Sequence, residues 1–330
     1  MEERIIANRS RYKPNAANLR RGGALVFALI AALVIAAALG SETLSFFELD
    51  ETERAILFDI RLPRVFLGAC VGASLAAAGA SLQALLRNPL AEPYLLGVSN
   101  GAALGTMLAF VFFGQIAVMR PVMAFAGAVI ATIAVYRMAQ GRTGMNVERL
   151  VLSGVIITTL LSSIIVLLTS LLEAAKLRGF MFWLLGDLSQ ATMTGFYFTL
   201  AAAVVGTIIL SSQAKALNLM MIGERDAMDF GVEVRRVRFI VFGVASLLVG
   251  TSVAASGSVG YVGLIVPHLV RMATGSDNRS VVPFSAIAGA IFVVLADTFA
   301  RTVIAPRELP VGAITALIGA PLFIYLLRKN

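Results

Sequence analysis

The sequence predicts an all-α, polytopic membrane protein with about ten membrane helices. Two observations of composition and one of spacing lead there. Apolar residues make up 58 % of the 330 positions and charged residues 14 %, well below the roughly 25 % charge of ordinary soluble domains. Charge-poor runs long enough to cross a hydrocarbon core of about 30 Å recur along the chain. The polar stretches between them, after the N-terminal tail, are too short to bury a soluble core of their own.

Residues 1–22 read as a cytoplasmic tail, and residues 23–330 as a single transmembrane domain. The tail is longer and more polar than the charged region of a signal peptide, and the apolar run behind it at 23–41 is a full-length span, so a retained first helix is expected. The loop Glu42 to Asp59 is acidic and reads as a solvated external loop. Next comes an uncharged run of 22 residues, Val65 to Leu86. It stops at Arg87-Asn88-Pro89-Leu90-Ala91-Glu92-Pro93, where a cation, an acid and two prolines cannot continue a lipid-facing helix. The GxxxG pairs Gly68/Gly72 and Gly101/Gly105 flank this turn and, with Ser74, Ala78 and Ala102, predict close backbone contacts between helices. Further runs fall near 94–113, 120–138, 150–172, 191–213, 238–255, 281–300 and 309–327.

Phe239 to Val270 carries no charge for 32 residues, too long for one ordinary span. Its middle, SGSVGYVG from Ser256 to Gly263, breaks a helix, which predicts one helix ending near Ala255 and a shorter one over about 261–273. That brings the count to ten and puts both termini on one side. With a cytoplasmic N-terminus, 19 of the 27 lysines and arginines fall inside and 8 outside, the bias expected of that topology.

The longest internal loop, residues 214–236, faces the cytoplasm in this scheme. Leu217, Met220 and Met221 precede Gly223; Glu224 to Phe230 then predicts a short helix that Gly231 ends as a left-handed cap. Two short helices joined at a glycine would present apolar and charged groups to the cytoplasm.

Few residues suggest chemistry. There are only four lysines and no GxxxxGK[ST] phosphate loop, so any ATPase must be another polypeptide. Cys70 is the only cysteine and lies in an apolar run, and the single His268 has no companion ligand, so neither supports a metal site. His268 reads as a satisfied interfacial residue. No nucleophile constellation appears, which leaves no catalytic residue to name. The net charge of +8 is spread over loops instead of forming a basic stripe, which argues against nucleic acid. Asp297 is the main carboxylate inside a span, and Arg301 at i+4 predicts a structural ion pair in preference to a proton relay. Arg61, Arg64 and Arg301 stand at external helix ends, where snorkelling anchors are the default reading.

Arg61-Leu-Pro-Arg64, Gly79, Gln83, RNPLAEP with LGVSNGA behind it, Gly257 to Arg271, Asp297-x-x-Ala-Arg301 and Leu309 to Leu327 together resemble the permease subunits of type II ATP-binding-cassette importers for iron chelates, haem or cobalamin. The resemblance covers nearly everything after residue 55. It implies a permease homodimer with the translocation path between the copies, two ATP-binding subunits that use ATP and Mg, and an extracytoplasmic substrate-binding protein. It also implies a bacterial or archaeal cytoplasmic membrane and no cofactor held by this chain. By residue matching, Leu217, Gly223, Glu224, Ala227 and Gly231 belong to the coupling element that docks on the ATPase. Asn88 and Leu90 belong to the cytoplasmic gate, and Arg61, Arg64 and Arg301 meet glutamates of the binding protein. Val147 and Glu148 depart from the small hydroxyl residues expected beside the gate, and Asp187 from a small residue at the external mouth. An ion-coupled secondary transporter is the alternative from another class, and a membrane enzyme a further one.

Overall fold

The computed structural model describes residues 16–40, 50–114, 116–141 and 144–329. Residues 1–15 of the expected tail and 42–49 of the acidic loop lie outside the described residues. Helix α1 spans Ala16–Ala38. Helix α2 runs without a break over Glu51–Leu85, so it begins well before the expected 65–86. Asp50 starts it with a capping box: its carboxylate accepts from Glu53 N at 2.6 Å, and the Glu53 carboxylate accepts from Asp50 N at 3.1 Å. Pro63 interrupts the hydrogen-bond ladder, and the preceding π-helical turn Ile56–Arg61 carries the helix past it.

A 3₁₀ turn at Pro93–Leu96 leads into α3 (Val98–Phe112) and α4 (Met119–Ala139). A two-residue hairpin, β1 (Gln140–Gly141) against β2 (Gly144–Met145), connects to α5 (Val147–Thr169). The short α6 (Ala174–Leu184), unforeseen in the sequence, precedes α7 (Met193–Ser212). The loop helices are α8 (Ala214–Ile222) and α9 (Glu224–Asp229). Helix α10 (Val234–Ser256) ends where the glycine- and serine-rich break was expected, and α11 (Val262–Thr274) follows. Helices α12 (Asn278–Thr302) and α13 (Val311–Lys329) complete the chain. Seven helices among the described residues are long and apolar enough to cross a membrane, namely α1, α2, α4, α5, α7, α10 and α12. The three remaining expected spans are the shorter apolar helices α3, α11 and α13.

Helix α2 is the axis of the bundle, with 83 % of its most apolar window buried against 11 % for α1 and 17 % for α5. Helices α7, α10, α11 and α12 pack around it. Small residues make this possible. A Cβ added to Gly72 would lie 2.1 Å from the carbonyl oxygen of Gly289 on α12, and one added to Gly79 would lie 2.0 Å from that of Gly263 on α11. Gly101 and Gly105 bring α3 equally close to Gly127 and Met123 of α4. Gly68, expected in the same role, meets the side chain of Leu188 instead.

Candidate functional site

At the end of the bundle where α2 finishes, α8 and α9 lie across the helix ends. Leu217 and Met220 of α8 and Ala227 of α9 are buried in the main core, so the pair is seated on the bundle by its apolar face. Asn218 ties it down further. Its Nδ2 donates to Asp277 at 2.7 Å, and its Oδ1 accepts from the backbone and side-chain nitrogens of Asn278 at 2.9 and 2.8 Å. Burial alone would raise the Asp277 pKa, but hydrogen bonds from Arg279 and Asn218 outweigh it and hold the carboxyl below its usual value. The residue therefore stays ionised as the N-cap of α12.

Gly223 separates the two short helices in an extended conformation, and Gly231 closes α9 with φ of 81°. The bonds Val232 N to Ala227 O and Gly231 N to Met228 O, both 2.9 Å, form a Schellman cap, as the sequence predicts for this glycine. Nothing lies within 4 Å of an added Cβ there, so the demand on Gly231 is one of backbone conformation alone. Gly231→Val should cost about 1–3 kcal/mol locally, whereas Gly231→Asn should be tolerated because asparagine visits the left-handed region. Hydrogen exchange over residues 224–232 checks this: faster exchange in the valine variant alone is the expected result.

The turn after α2 faces this pair. Arg87 has φ of 49°, and the bonds Asn88 N to Gln83 O and Arg87 N to Ala84 O make a second Schellman cap with an arginine where glycine is usual. Asn88 Oδ1 accepts from Leu90 N at 2.9 Å, an Asx-turn that leaves Leu90 exposed. Further along, Glu92 Oε1 accepts from Tyr261 N at 3.0 Å, and the Tyr94 hydroxyl exchanges two 2.9 Å hydrogen bonds with the backbone of Val259. Neither Glu92 nor Tyr94 stands out in the sequence. Their signal, an acid and a phenol in a re-entrant turn, has meaning only once α11 is seen to begin beside them. Asn146 caps α5 through Glu148 N at 2.8 Å, and Val147 and Glu148 stand across from Arg87. Leu85, Arg87, Val147, Glu148, Glu224 and Arg238 line one cavity of about 590 Å³. Glu224 of the expected coupling segment therefore shares a space with Arg87, next to the expected gate residue Asn88, and with Val147 and Glu148.

The opposite end corrects the picture of three presented arginines. Arg61, Arg64 and Arg301 are 4 %, 6 % and 3 % exposed, and all are engaged within the chain. Arg61 Nη1 donates to the carbonyls of Ala37 and Ala38 at 3.1 Å each, and Arg301 donates to that of Ala36. These belong to the last turn of α1, whose carbonyls have no partner in their own helix, so the two cations cap its negative end. Arg64 grips Asp297 from Nε and Nη2 at 3.1 and 2.9 Å and reaches Glu308 at 2.7 Å. Asp297 does sit 3.7 Å from Arg301 Nε, yet its closer partner is Arg64. The helical spacing identified the weaker contact.

Arg64 nevertheless lines a cavity of about 170 Å³ with Asp187 and Glu308. Asp187 borders a second cavity of about 500 Å³, with Arg120, Lys176 and Trp183. Its backbone N–H donates to Ser256 O and its carboxylate accepts from Ser189 N, both at 2.7 Å, so it fixes the α6–α7 connection on the end of α10. His268 is not satisfied as expected: its Nε2 is buried without a hydrogen-bond partner among the described residues.

Comparison with known proteins gives a consistent result. The FecCD transport family matches this chain over residues 24–329. The chain is 43 % identical over 287 residues to the cobalamin import system permease protein BtuC of Halobacterium salinarum, covering 86 % of this chain and 76 % of that protein. It is 36 % identical over 318 residues to the hemin transport system permease protein HmuU of Yersinia pestis, covering 93 % and 95 %. A solved metal-chelate type ABC transporter in an inward-facing conformation superposes with a TM-score of 0.86 at 34 % identity, covering 93 % of this chain and 98 % of that one.

Proposed function

The chain belongs to the FecCD transport family, and from that premise we propose that it is the membrane-spanning subunit of an ATP-driven importer of a ferric siderophore, haem or cobalamin. Two copies form the path, separate ATP-binding subunits hydrolyse ATP with Mg, and an extracytoplasmic binding protein delivers the chelate. The membrane is the bacterial or archaeal cytoplasmic membrane, with both termini inside. The single observation that supports this reading is the cavity that Glu224 and Met228 of α9 share with Arg87, which precedes Asn88, and with Val147 and Glu148. The docking surface for a motor subunit is the outer face of this pair, at Glu224 and Gly231, with Gly223 joining the two helices and the buried Leu217 and Ala227 seating them on the bundle.

The face built by Arg61, Arg64 and Arg301 receives the binding protein. Arg64, at the wall of an open cavity beside the part-exposed Glu308, makes the contact, and the other two hold α1 in place. The ion-coupled alternative lacks support in the geometry, because Asp297 is committed to Arg64 and Arg301 instead of standing free along a path.

The test is reconstitution into liposomes with the ATPase and the binding protein, offering ferric siderophore, haem and cobalamin in turn. ATP-dependent uptake of one of the three is the expected result. Uptake driven by an ion gradient with no ATPase present would overturn the reading.

A further inference from the structure

Glu224 opens α9 and is half exposed, with Arg87 Nη2 3.6 Å away and Arg238 of α10 in direct contact. One carboxylate thus bridges the coupling pair, the start of the turn after α2, and the first turns of α10. A solvent-exposed ion pair contributes little to stability, since water screens it and ordering two long side chains opposes it. Its position is more informative than its energy. Arg87 occupies the left-handed C′ position of a Schellman cap, which glycine would fill without strain. The local backbone therefore disfavours arginine, and the contact that arginine makes and glycine cannot is the one with Glu224.

The far end of the same turn is pinned independently. Glu92 holds Tyr261 N, and Tyr94 is bonded twice to Val259, so residues 92–94 are fastened to the start of α11. Between the pinned end and Arg87 lie Asn88 and the exposed Leu90, held to each other by the Asx-turn. Arg87 also lines the 590 Å³ cavity, facing Val147 and Glu148 of α5. A turn capped on α2 at its near end, fastened to α11 at its far end and reached at Arg87 by Glu224 follows a movement of that carboxylate.

We propose that the Glu224–Arg87 ion pair is the strut by which displacement of α8 and α9 moves the Asn88–Leu90 turn, with Arg238 orienting the Glu224 carboxylate. Glu224 and Arg87 are positioning residues; neither touches the transported molecule. This inference rests on the permease reading above and adds the atoms through which its two cytoplasmic segments communicate.

Arg87→Gly separates the strut from the fold, because glycine relaxes the turn while removing the side chain that reaches Glu224. The reporter is Leu90→Cys in a Cys70→Ala background, reconstituted in the complete complex, with the rate of maleimide modification at position 90 measured with and without ATP and vanadate. Without Arg87→Gly, the rate should change at least about fivefold between the two states. With Arg87→Gly, the thermal midpoint should be unchanged or higher, the two rates should converge to within about twofold, and transport per ATP hydrolysed should fall by a similar factor. Arg87→Lys, which keeps the charge, should restore part of the difference. An ATP-dependent change that persists undiminished in Arg87→Gly overturns the strut. No change in the parent reporter together with no ATP-driven uptake in the unmodified complex would instead overturn the permease reading.

Discussion

Asp297→Ala should be the most damaging single substitution in the chain. The carboxylate is 2 % exposed and neutralises Arg64 directly and Arg301 at longer range, both of them buried. Removing it leaves two guanidinium groups inside the bundle with the part-exposed Glu308 as the remaining carboxylate on Arg64. Breaking a buried pair in this way costs about 3–5 kcal/mol, because the orphaned charge has lost both water and partner. The purified variant should melt roughly 10 °C or more below the parent, or fail to accumulate. Replacing the whole cluster with apolar residues, Asp297→Leu with Arg64→Met and Arg301→Met, should recover much of that loss, since no charge is then stranded. A parent-like melting midpoint for Asp297→Ala alone would show that the cluster is not a structural unit. The same geometry bears on any charge reversal of Arg61, Arg64 and Arg301. Three glutamates placed around Asp297 would damage the fold before they could report on docking, so Glu308→Ala is the cleaner probe of that face.

Gly79→Leu should be nearly as severe, for a reason of shape. The added Cβ would sit 2.0 Å from the carbonyl oxygen and 2.5 Å from the Cα of Gly263, and these are backbone atoms that cannot rotate aside. Helices α2 and α11 would have to separate, which would also strip Gln83 Nε2 of its bonds to Gly263 O and Leu264 O at 3.2 and 3.1 Å. The cost should exceed the about 1–3 kcal/mol of ordinary overpacking. Gly243→Ala supplies the control, because nothing lies within 4 Å of a Cβ at that position on α10. The control should melt like the parent while Gly79→Leu melts far below it. Equal behaviour of the two would refute the close α2–α11 approach.

Much of the fold was legible because it depends on local properties. A charge-poor run of given length must be a helix in lipid, so the apolar segments and their order follow from hydropathy alone. The break at SGSVGYVG and the cap at Gly231 were legible for a similarly local reason, since glycine admits the positive φ that ends a helix, 67° at Gly257 and 81° at Gly231. The capping box that extends α2 back to Glu51 is carried by Asp50 and Glu53, polar residues outside the apolar run that sets the expected bounds of the helix. Helix α6 was missed because it is short and carries Lys176 and Arg178 among its apolar residues.

The candidate sites divide along the same line. The sequence by itself determined the short helices and the turn at Asn88 as separate motifs, and only resemblance named their residues as coupling and gate. Only the tertiary structure decided that Glu224 shares a cavity with Arg87, Val147 and Glu148, that it reaches Arg87, and that Glu92 grips the start of α11. Likewise, sequence spacing pairs Asp297 with Arg301 one helical turn away, while the fold gives it to Arg64, 233 positions distant. Helix and turn formation are settled within a few residues by backbone geometry and side-chain solvation. Pairing among buried charges is settled by which helices become neighbours, because desolvation makes each charge take the best partner within reach, however far away it lies in the chain.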